Sequence, residues 1–294
     1  LLKHLSGKSL QAKYFYRGNV WRRQNFKSII PNEQYQMGFE FFDYKKTNSI
    51  SSDVEAFLLI SKILNKYKVK AVTGDVQILT SAINELDISE YKKASLKRQL
   101  WRPKRFMRLL DLYSKQRTYG RHIGSSKSNI PFPSKEELPG TKSFYGVRTQ
   151  IDIKERIEIL EQELSQGLIA NSERNFLLKL MQFQSKLNEA PKRMSSLSIV
   201  GGTFKKALEN FELRVRLLSE HINTRTVKFQ VIYGLTTLEY YDGFVFGFQF
   251  DNAKYPPIAQ GGRYDNLCSS VSKKGKSICA IGSMLRMDFL RKNN

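Results

Sequence analysis

Gln36 and Glu40 are two polar residues within a mostly aromatic segment of this 294-residue sequence. Between residues 35 and 42 apolar residues alternate with others, which is the period of two typical of a β-strand. Alternate residues of a strand project to the same face, so we expect the amide and the carboxylate to point the same way. Such a pair can bind an ammonium group, with Glu40 as the charged acceptor.

Strands and helices must position this pair. Residues 14–22 and 35–42 predict two strands joined by a loop, which favours an antiparallel hairpin. Ser51 or Ser52 is predicted to cap a following helix, because apolar residues recur at helical spacing from Val54 to Leu64. Further helical stripes are predicted within 75–118, 151–187 (Ile153, Ile157, Leu160, Leu164) and 203–220, and further strands at 228–232, 240–250 and from Ile278 onward.

This order of elements predicts an α+β fold, in which helices flank an antiparallel sheet and a mostly helical insert interrupts it. The predicted organisation is a first part of the core at 1–74, an insert at 75–225 and a second part of the core at 226–294. A stretch rich in Gly, Ser, Pro and Lys predicts a flexible connector at 119–150 within the insert.

Composition excludes several classes of protein. The two cysteines, Cys268 and Cys279, cannot build a disulfide framework, and the three histidines are scattered, so we predict neither a metal site nor a His-based catalytic triad. No apolar stretch is long enough to cross a bilayer. Reduced thiols indicate a cytoplasmic protein.

The formal net charge of +22 raises nucleic acid as a partner. The basic residues are, however, spread along the whole chain, so we interpret them as a compositional bias and do not predict nucleic-acid binding. The alternative interpretation is a basic face used against an ATP-like substrate or an acidic partner protein.

Four motifs, in order, resemble those of the histidyl branch of the class II aminoacyl-tRNA synthetases. The hairpin segments 16–22 and 36–40 resemble motif 2, and residues 280–290 stand where motif 3 is expected. Between them, 238–246 and 261–267 resemble two signatures of the histidyl branch. The residues of 240–246, and those of Trp101–Phe106, resemble the regulatory subunits of ATP phosphoribosyltransferase more closely than true synthetases.

The resemblance implies a class II synthetase-like sheet and a histidine pocket. Arg22 holds the position that contacts the substrate carboxylate and the α-phosphate of ATP, and Tyr241 and Tyr264 hold positions that contact the imidazole ring. A phenol suits imidazole because it joins an aromatic wall to a hydrogen-bonding tip. The candidate histidine-binding residues are therefore Arg22, Gln36, Glu40, Tyr241 and Tyr264.

A structural interpretation of the same residues stays open. In that interpretation the two tyrosines only pack against the sheet, and Glu40 pairs with Arg22 or Arg263. The adjacent glycines Gly261 and Gly262, in the motif at 261–267, are predicted to form a tight turn.

The groups that promote amino-acid activation are depleted. Two arginines of the synthetase family align with Thr236 and Leu285, and each lost charge-stabilising donor costs about 3 kcal/mol, or ~10²–10³ in rate. Arg286 lies one residue further on, where we expect a helical step of about 100° to turn it away. We therefore predict no catalytic residues and no cofactor.

The resulting functional hypothesis is a non-catalytic regulatory subunit of ATP phosphoribosyltransferase, needed for the first step of histidine biosynthesis and for its inhibition by histidine. The expected partners are the short-form catalytic subunit, histidine as an effector, and a second copy of the chain within a hetero-oligomer.

A divergent histidyl-tRNA synthetase is the first alternative; the lost arginines, and the end of the sequence soon after motif 3, count against it. A pseudo-synthetase that binds RNA is the second, because of the positive charge. The motif 1 region is expected to precede residue 1.

Overall fold

The computed structural model describes residues 11–25, 28, 30–43, 49–115, 149, 151–152, 155, 158, 167–197, 201–235, 239–251, 256–271 and 278–292. The chain divides into two compact units, one formed by Leu1–Glu85 with Phe176–Asn294 and the other by Leu86–Asn175. The domain boundaries at 74 and 225 stay a prediction. All five candidate site residues belong to the first unit.

An eight-stranded sheet forms the centre of the first unit. Its strands are β1 (Ala12–Trp21), β2 (Glu33–Asp43), β3 (Val69–Asp75), β4 (Gln184–Lys186), β5 (Lys228–Gln230), β6 (Phe244–Phe250), β7 (Ala259–Arg263) and β8 (Cys279–Arg286). Their order across the sheet is β1-β2-β8-β7-β6-β3-β5-β4. The pairing is antiparallel except between β3 and β5.

The described helices confirm the α+β class. They are α1 (Ser49–Leu64), α2 (Val76–Asn84), α3 (Glu90–Gln99), α4 (Pro103–Ser114), α5 (Asn171–Met181), α6 (Ala190–Ser195), α7 (Gly202–Ser219), α8 (Asp265–Val271) and α9 (Met287–Lys292). The predicted hairpin is present as β1 and β2, whose antiparallel register places Tyr14 opposite Glu40 and Gly18 opposite Gln36.

The packed core lies on one face of the sheet. Phe57 of α1 is fully buried, and its ring lies 6.4, 5.5 and 5.1 Å from the rings of Phe244, Phe246 and Phe248. These three residues alternate along β6 and so share a face. Burial of large aromatic side chains is strongly favourable in folding, so this packing on the helix-covered face stabilises the first unit.

A buried network of charges ties the helices to this face. Asp53 of α1, which has no solvent exposure, accepts hydrogen bonds from Arg214 of α7 at 2.9 Å and from Arg263 of β7 at 2.5 Å. Arg214 also donates to Asp75 at 2.6 Å, and Asp75 caps α2 by accepting the backbone N–H of Gln77. Burial raises the pKa of Asp75, and the guanidinium of Arg214 opposes that rise. Each charge of this network therefore has a partner of opposite sign, as burial requires.

The described part of the second unit is mostly helical. Leu96, Leu100, Phe106 and Leu110, from α3, α4 and the turn between them, have no exposed surface. A chain segment that follows these helices is bound to them, because the backbone N–H of Ile169 donates to the carbonyl of Tyr113 at 3.0 Å.

Some sequence predictions differ from the structure or cannot be compared with it. Helix α1 begins at Ser49, so Ser51 and Ser52 lie inside it and do not cap it. Strand β3 was not predicted, because Val69–Asp75 lacks a clear alternation between polar and apolar residues. Most of the predicted connector at 119–150 and the predicted stripe at Ile153, Ile157, Leu160 and Leu164 lie outside the described residues.

Two properties of the described residues bear on function. Across them, no helix combines the length and apolar character that crossing a membrane would require. The same residues contain no group of three or more His, Cys, Asp or Glu side chains that could hold a metal ion.

We predict that Asp53→Asn destabilises the protein by about 3–5 kcal/mol, because it leaves Arg214 and Arg263 buried without their shared carboxylate. Equilibrium unfolding in urea measures this loss. The matched control is Asp251→Asn, since the Asp251 carboxylate pairs with Lys70 where both side chains are about 70% exposed. The control should change stability by less than about 1 kcal/mol. Equal effects of the two substitutions would contradict the assigned role of Asp53.

Candidate functional site

The face of the sheet opposite α1 and α7 is lined with glycines. Each of six strands carries one glycine there, and register places Gly262 of β7 opposite both Gly282 of β8 and Val245 of β6. The six are Gly18, Gly38, Gly74, Gly247, Gly262 and Gly282. This glycine-lined face therefore has a floor made largely of backbone.

Polar side chains occupy the space that side chains at the glycines would fill. A Cβ atom at Gly282 would lie 1.8 Å from Oε2 of Glu40, and one at Gly38 would lie 2.4 Å from Cζ of Tyr16. A Cβ atom at Gly262 would lie 2.7 Å from Cδ1 of Tyr241. These distances are shorter than any van der Waals contact, so only glycine allows the three side chains to lie flat on the sheet.

Glu40 and the tyrosines form the acidic end of the site. The Tyr264 hydroxyl donates a hydrogen bond to Oε2 of Glu40. The Tyr240 ring packs 4.8 Å from the Tyr241 ring and 5.9 Å, edge to face, from the Tyr264 ring. Burial raises the pKa of Glu40, while the bond from Tyr264 opposes that rise. Burial also raises the pKa of Tyr241 and Tyr264, so both phenols stay protonated and can donate.

Asp242 holds the two tyrosine segments together. Its backbone N–H donates to the carbonyl of Arg263 at 2.9 Å. Its carboxylate accepts the backbone N–H groups of Asp265 and Asn266, at 3.1 and 2.5 Å. Tyr241 and Tyr264 adjoin these bonded positions, so a residue of the first of these two motifs fixes where both rings stand. Burial raises the pKa of Asp242 to about 6.

One structural alternative for Glu40 is wrong. Arg263 points to the helix-covered face, where it bonds Asp53 and Asp265, and so cannot neutralise Glu40. Within the described part of the chain no ion pair joins Glu40 to Arg22 either. Glu40 thus presents an anionic acceptor whose recorded donor is a tyrosine.

Arg22 and Arg286 form the basic end. Arg22 follows β1, and its side chain is exposed. Arg286 is the last residue of β8 and lies opposite Gln36 in the antiparallel register, so both side chains are on the glycine-lined face. The prediction that Arg286 turns away is therefore wrong, because it assumed a helix where the chain forms a strand. Burial, and after it the charge of Arg22, lower the pKa of Arg286 to about 10.

Gln36 lies on the same strand as Glu40 and opposite Arg286, so it belongs to both ends of the face. It has no exposed surface, and its Nε2 donates to Oε1 of Gln34 at 3.1 Å. Its own Oε1 is buried and, among the described residues, accepts no hydrogen bond. Gln36 and Glu40 are four positions apart in sequence, which is about 13 Å along a strand. The structure thus brings all five predicted site residues to one face, with Arg22 at its exposed margin.

Two further predictions for this region need comment. Gly261 and Gly262 lie within β7 and do not form a tight turn. Leu285 is buried on the helix-covered face, opposite Met37 and Ala259, so position 285 carries no charge toward the site. Thr236 lies outside the described residues.

Several site residues were missed in the sequence. Tyr16 shares the period of two in β1, a signal that could have identified it, and Tyr240 adjoins Tyr241. Tyr233 interacts with both Gln260 and Arg286, and burial raises the pKa of Tyr233 to about 12. No local pattern marks Tyr233, because it stands in a turn after β5 and reaches the face only in three dimensions.

The glycine-lined face carries acidic groups at one end and basic groups at the other. Carboxylate and phenol groups at one end can receive a ligand's N–H groups, and guanidinium groups at the other can receive an anion. The aromatic rings suit a flat group at the acidic end. The arrangement fits a small molecule that carries both a planar nitrogen-containing ring and a negative charge.

Comparisons with known proteins agree on the fold. Residues 146–290 match the histidyl-tRNA synthetase family. No protein of curated function matches the chain in sequence. An ATP phosphoribosyltransferase regulatory subunit/histidyl-tRNA synthetase from Bacillus halodurans superposes with a TM-score of 0.62 at 20% identity, over 99% of this chain and 60% of that protein.

Histidyl-tRNA synthetase from Nostoc sp. PCC 7120 gives a TM-score of 0.58 at 14% identity, over 99% of this chain and 56% of that one. The ATP phosphoribosyl transferase (HisG:HisZ) complex from Thermotoga maritima gives 0.49 at 13% identity, over 95% and 74%. This chain therefore spans less than two thirds of the first two proteins, and those two likenesses show a class II synthetase-like fold.

We predict that Gly282→Ala displaces Glu40 and destabilises the protein by about 1–3 kcal/mol, since the new methyl group would overlap the carboxylate. Gly202→Ala is the matched control. Gly202 begins α7, and a Cβ atom there would have no neighbour within 4 Å, so this change should be neutral or slightly stabilising. Urea unfolding of both variants distinguishes the two sites. A Gly282→Ala protein as stable as the control would show that the floor tolerates a side chain.

Proposed function

We propose that this chain, which carries a histidyl-tRNA synthetase-like domain on a class II synthetase fold, is the non-catalytic regulatory subunit of ATP phosphoribosyltransferase and binds histidine on its glycine-lined face. In this role it supports the first step of histidine biosynthesis and its inhibition by the end product. The proposal also places the protein in the cytoplasm.

The hydrogen bond from Tyr264 to Glu40, beside the ring of Tyr241, is the observation that carries the ligand assignment. Imidazole needs an acceptor for its ring N–H and a flat wall for its ring. Glu40 supplies the acceptor without a competing arginine, and the buried tyrosines supply the wall. In this arrangement the imidazole lies at the acidic end of the face.

The proposal that the chain is non-catalytic rests on the loss of positive groups that amino-acid activation requires. Adenylate formation brings a carboxylate against a phosphate, so it requires fixed positive groups around the developing charge. Position 285, where the resemblance expects an arginine, carries a leucine packed on the other face of the sheet. Losing one such donor costs about 10²–10³ in rate, which favours recognition without activation.

Regulation would follow from thermodynamic linkage between histidine binding and the conformation of the assembly. If histidine binds one conformation of the assembly more tightly than another, it shifts the population that the catalytic subunit samples. The bond-making chemistry then belongs to the partner, a short-form catalytic subunit. This chain contributes assembly and the effector site, as a self-dimer within the hetero-oligomer.

A divergent histidyl-tRNA synthetase is the second candidate, and Arg286 is the observation that favours it. Its guanidinium lies on the same face as Gln36, one residue beyond the position where a synthetase arginine is expected. If that group served a transition state, part of the lost positive charge would be restored.

We expect Glu40→Gln to weaken histidine binding by about tenfold to a hundredfold, because a charge-assisted hydrogen bond to the ligand becomes a neutral one. Isothermal titration calorimetry measures the dissociation constant directly. Glu55→Gln is the control, since Glu55 is half exposed on α1 and pairs with Lys13. An unchanged affinity in Glu40→Gln would place the ligand elsewhere.

Activity measurements separate the two candidates. The pure protein should show no histidine-dependent exchange of pyrophosphate into ATP. Co-expressed with the catalytic phosphoribosyltransferase of the same genome, it should co-purify, and phosphoribosyl transfer should require both chains. Robust exchange by the pure chain would instead identify a synthetase.

A further inference from the structure

Arg286 is a buried cation that lacks an anion. Its side chain is 8% exposed, and its guanidinium donates to the backbone carbonyl of Pro257. Within the described ranges no aspartate or glutamate forms an ion pair with it, and its Nε atom has no hydrogen-bond partner. Among the described residues, the charge that acts most strongly on its pKa is that of a second arginine, Arg22.

Burying Arg286 without an opposite charge costs free energy of folding. A buried charge normally has a partner of opposite sign, because the effective desolvation penalty is several kcal/mol. The other two buried arginines follow that rule: Arg214 binds Asp53 and Asp75, and Arg263 binds Asp53 and Asp265. Arg286 departs from it, on the face where the other features of a ligand site are found. Its missing partner is therefore expected to come from a ligand.

The residue opposite Arg286 has the complementary defect. Gln36 is buried, and its Oε1 accepts no hydrogen bond among the described residues. Register pairs Gln36 with Arg286 directly, on one face of adjacent strands. An unpaired donor and an unpaired acceptor thus stand side by side without bonding each other. A ligand group that is an acceptor and a donor at neighbouring atoms would satisfy both.

We propose that Arg286 and Gln36 form the subsite for the amino-acid head of the ligand, with Arg286 binding its carboxylate and Gln36 accepting from its ammonium. The inference rests on the proposed function, because it concerns the other end of the same bound molecule. Arg286 then replaces the arginines that the sequence lacks at 236 and 285.

A carboxylate fits this subsite better than a phosphate does. The head of an amino acid carries its N–H donor and its carboxylate on the same carbon atom, which matches the donor and acceptor of the subsite. The internal phosphates of a nucleotide carry no proton at neutral pH, so they would set lone pairs against Oε1 of Gln36. The cost of that unpaired acceptor disfavours nucleotides here.

The test compares two ligands and two proteins by calorimetry. Histidinamide has the shape of histidine but a neutral head, and Arg286→Met keeps an apolar stem without the charge. Wild-type protein should bind histidine at least about tenfold more tightly than histidinamide. In Arg286→Met that preference should disappear, while histidinamide affinity changes less than about twofold. Inorganic pyrophosphate, titrated into both proteins, reports phosphate binding.

The outcomes are distinguishable. If wild-type protein binds both ligands equally, or Arg286→Met keeps the preference, the subsite is wrong and histidine binding still stands. If neither ligand binds, the proposed function fails and this inference fails with it. Pyrophosphate binding that depends on Arg286, with no histidine preference, would overturn the carboxylate assignment in favour of a phosphate.

Folding does not limit the test. Removing an unpaired buried charge should leave the unfolding midpoint of Arg286→Met unchanged or higher. If the variant nevertheless fails to fold, the comparison of histidine with histidinamide in wild-type protein still decides, and Arg286→Lys, which keeps the charge, should retain most of the preference.

Discussion

The site depends on missing side chains. Glu40 and Tyr241 occupy volume in which a Cβ atom at Gly282 or Gly262 would collide with them. In most sheets every second residue of a strand projects a side chain from a given face. Side chains at these glycine positions would keep Glu40 and Tyr241 from packing against the backbone of the sheet. The glycines cost strand stability, because glycine loses more entropy than other residues on folding. The helix-covered face offsets that cost with its packed aromatic residues.

The two faces are joined through Arg263, the last residue of β7, and Tyr264, which follows it. Arg263 points to one face and bonds the buried carboxylate of Asp53, whereas Tyr264 points to the other and bonds Glu40. A movement of β7 that strengthened one of these bonds would disturb the other, so the network under the sheet holds the tyrosine in place. The contacts of Arg263 with the helices therefore help to fix the position of Tyr264 on the glycine-lined face. Rigid support of this kind is what a recognition site needs, since binding then requires little reorganisation.

How far the sequence predicts this arrangement depends on the range of the interactions. The hairpin and the shared face of Gln36 and Glu40 follow from the period of two, a local property, and both are confirmed in the fold. Tyr233 comes from a turn and meets β6 through Gly247, which no local pattern encodes. The prediction for Arg286 was wrong because the end of a strand and the start of a helix adjoin there. A one-residue error in that boundary changes which face a side chain occupies.

That boundary also bears on the choice between recognition and catalysis. Strand β8 continues to Arg286, so residue 285 lies on the helix-covered face and residue 286 on the glycine-lined face. The guanidinium of Arg286 is held at its base by the register with Gln36 and at its tip by the carbonyl of Pro257. A cation fixed in this way suits an anion that is present throughout binding. Transition-state stabilisation requires donors aimed at charge that develops during the reaction, and a single anchored arginine opposite a glutamine provides a weak form of it. The geometry of this end of the sheet therefore favours a pocket that binds an amino acid and leaves it unchanged.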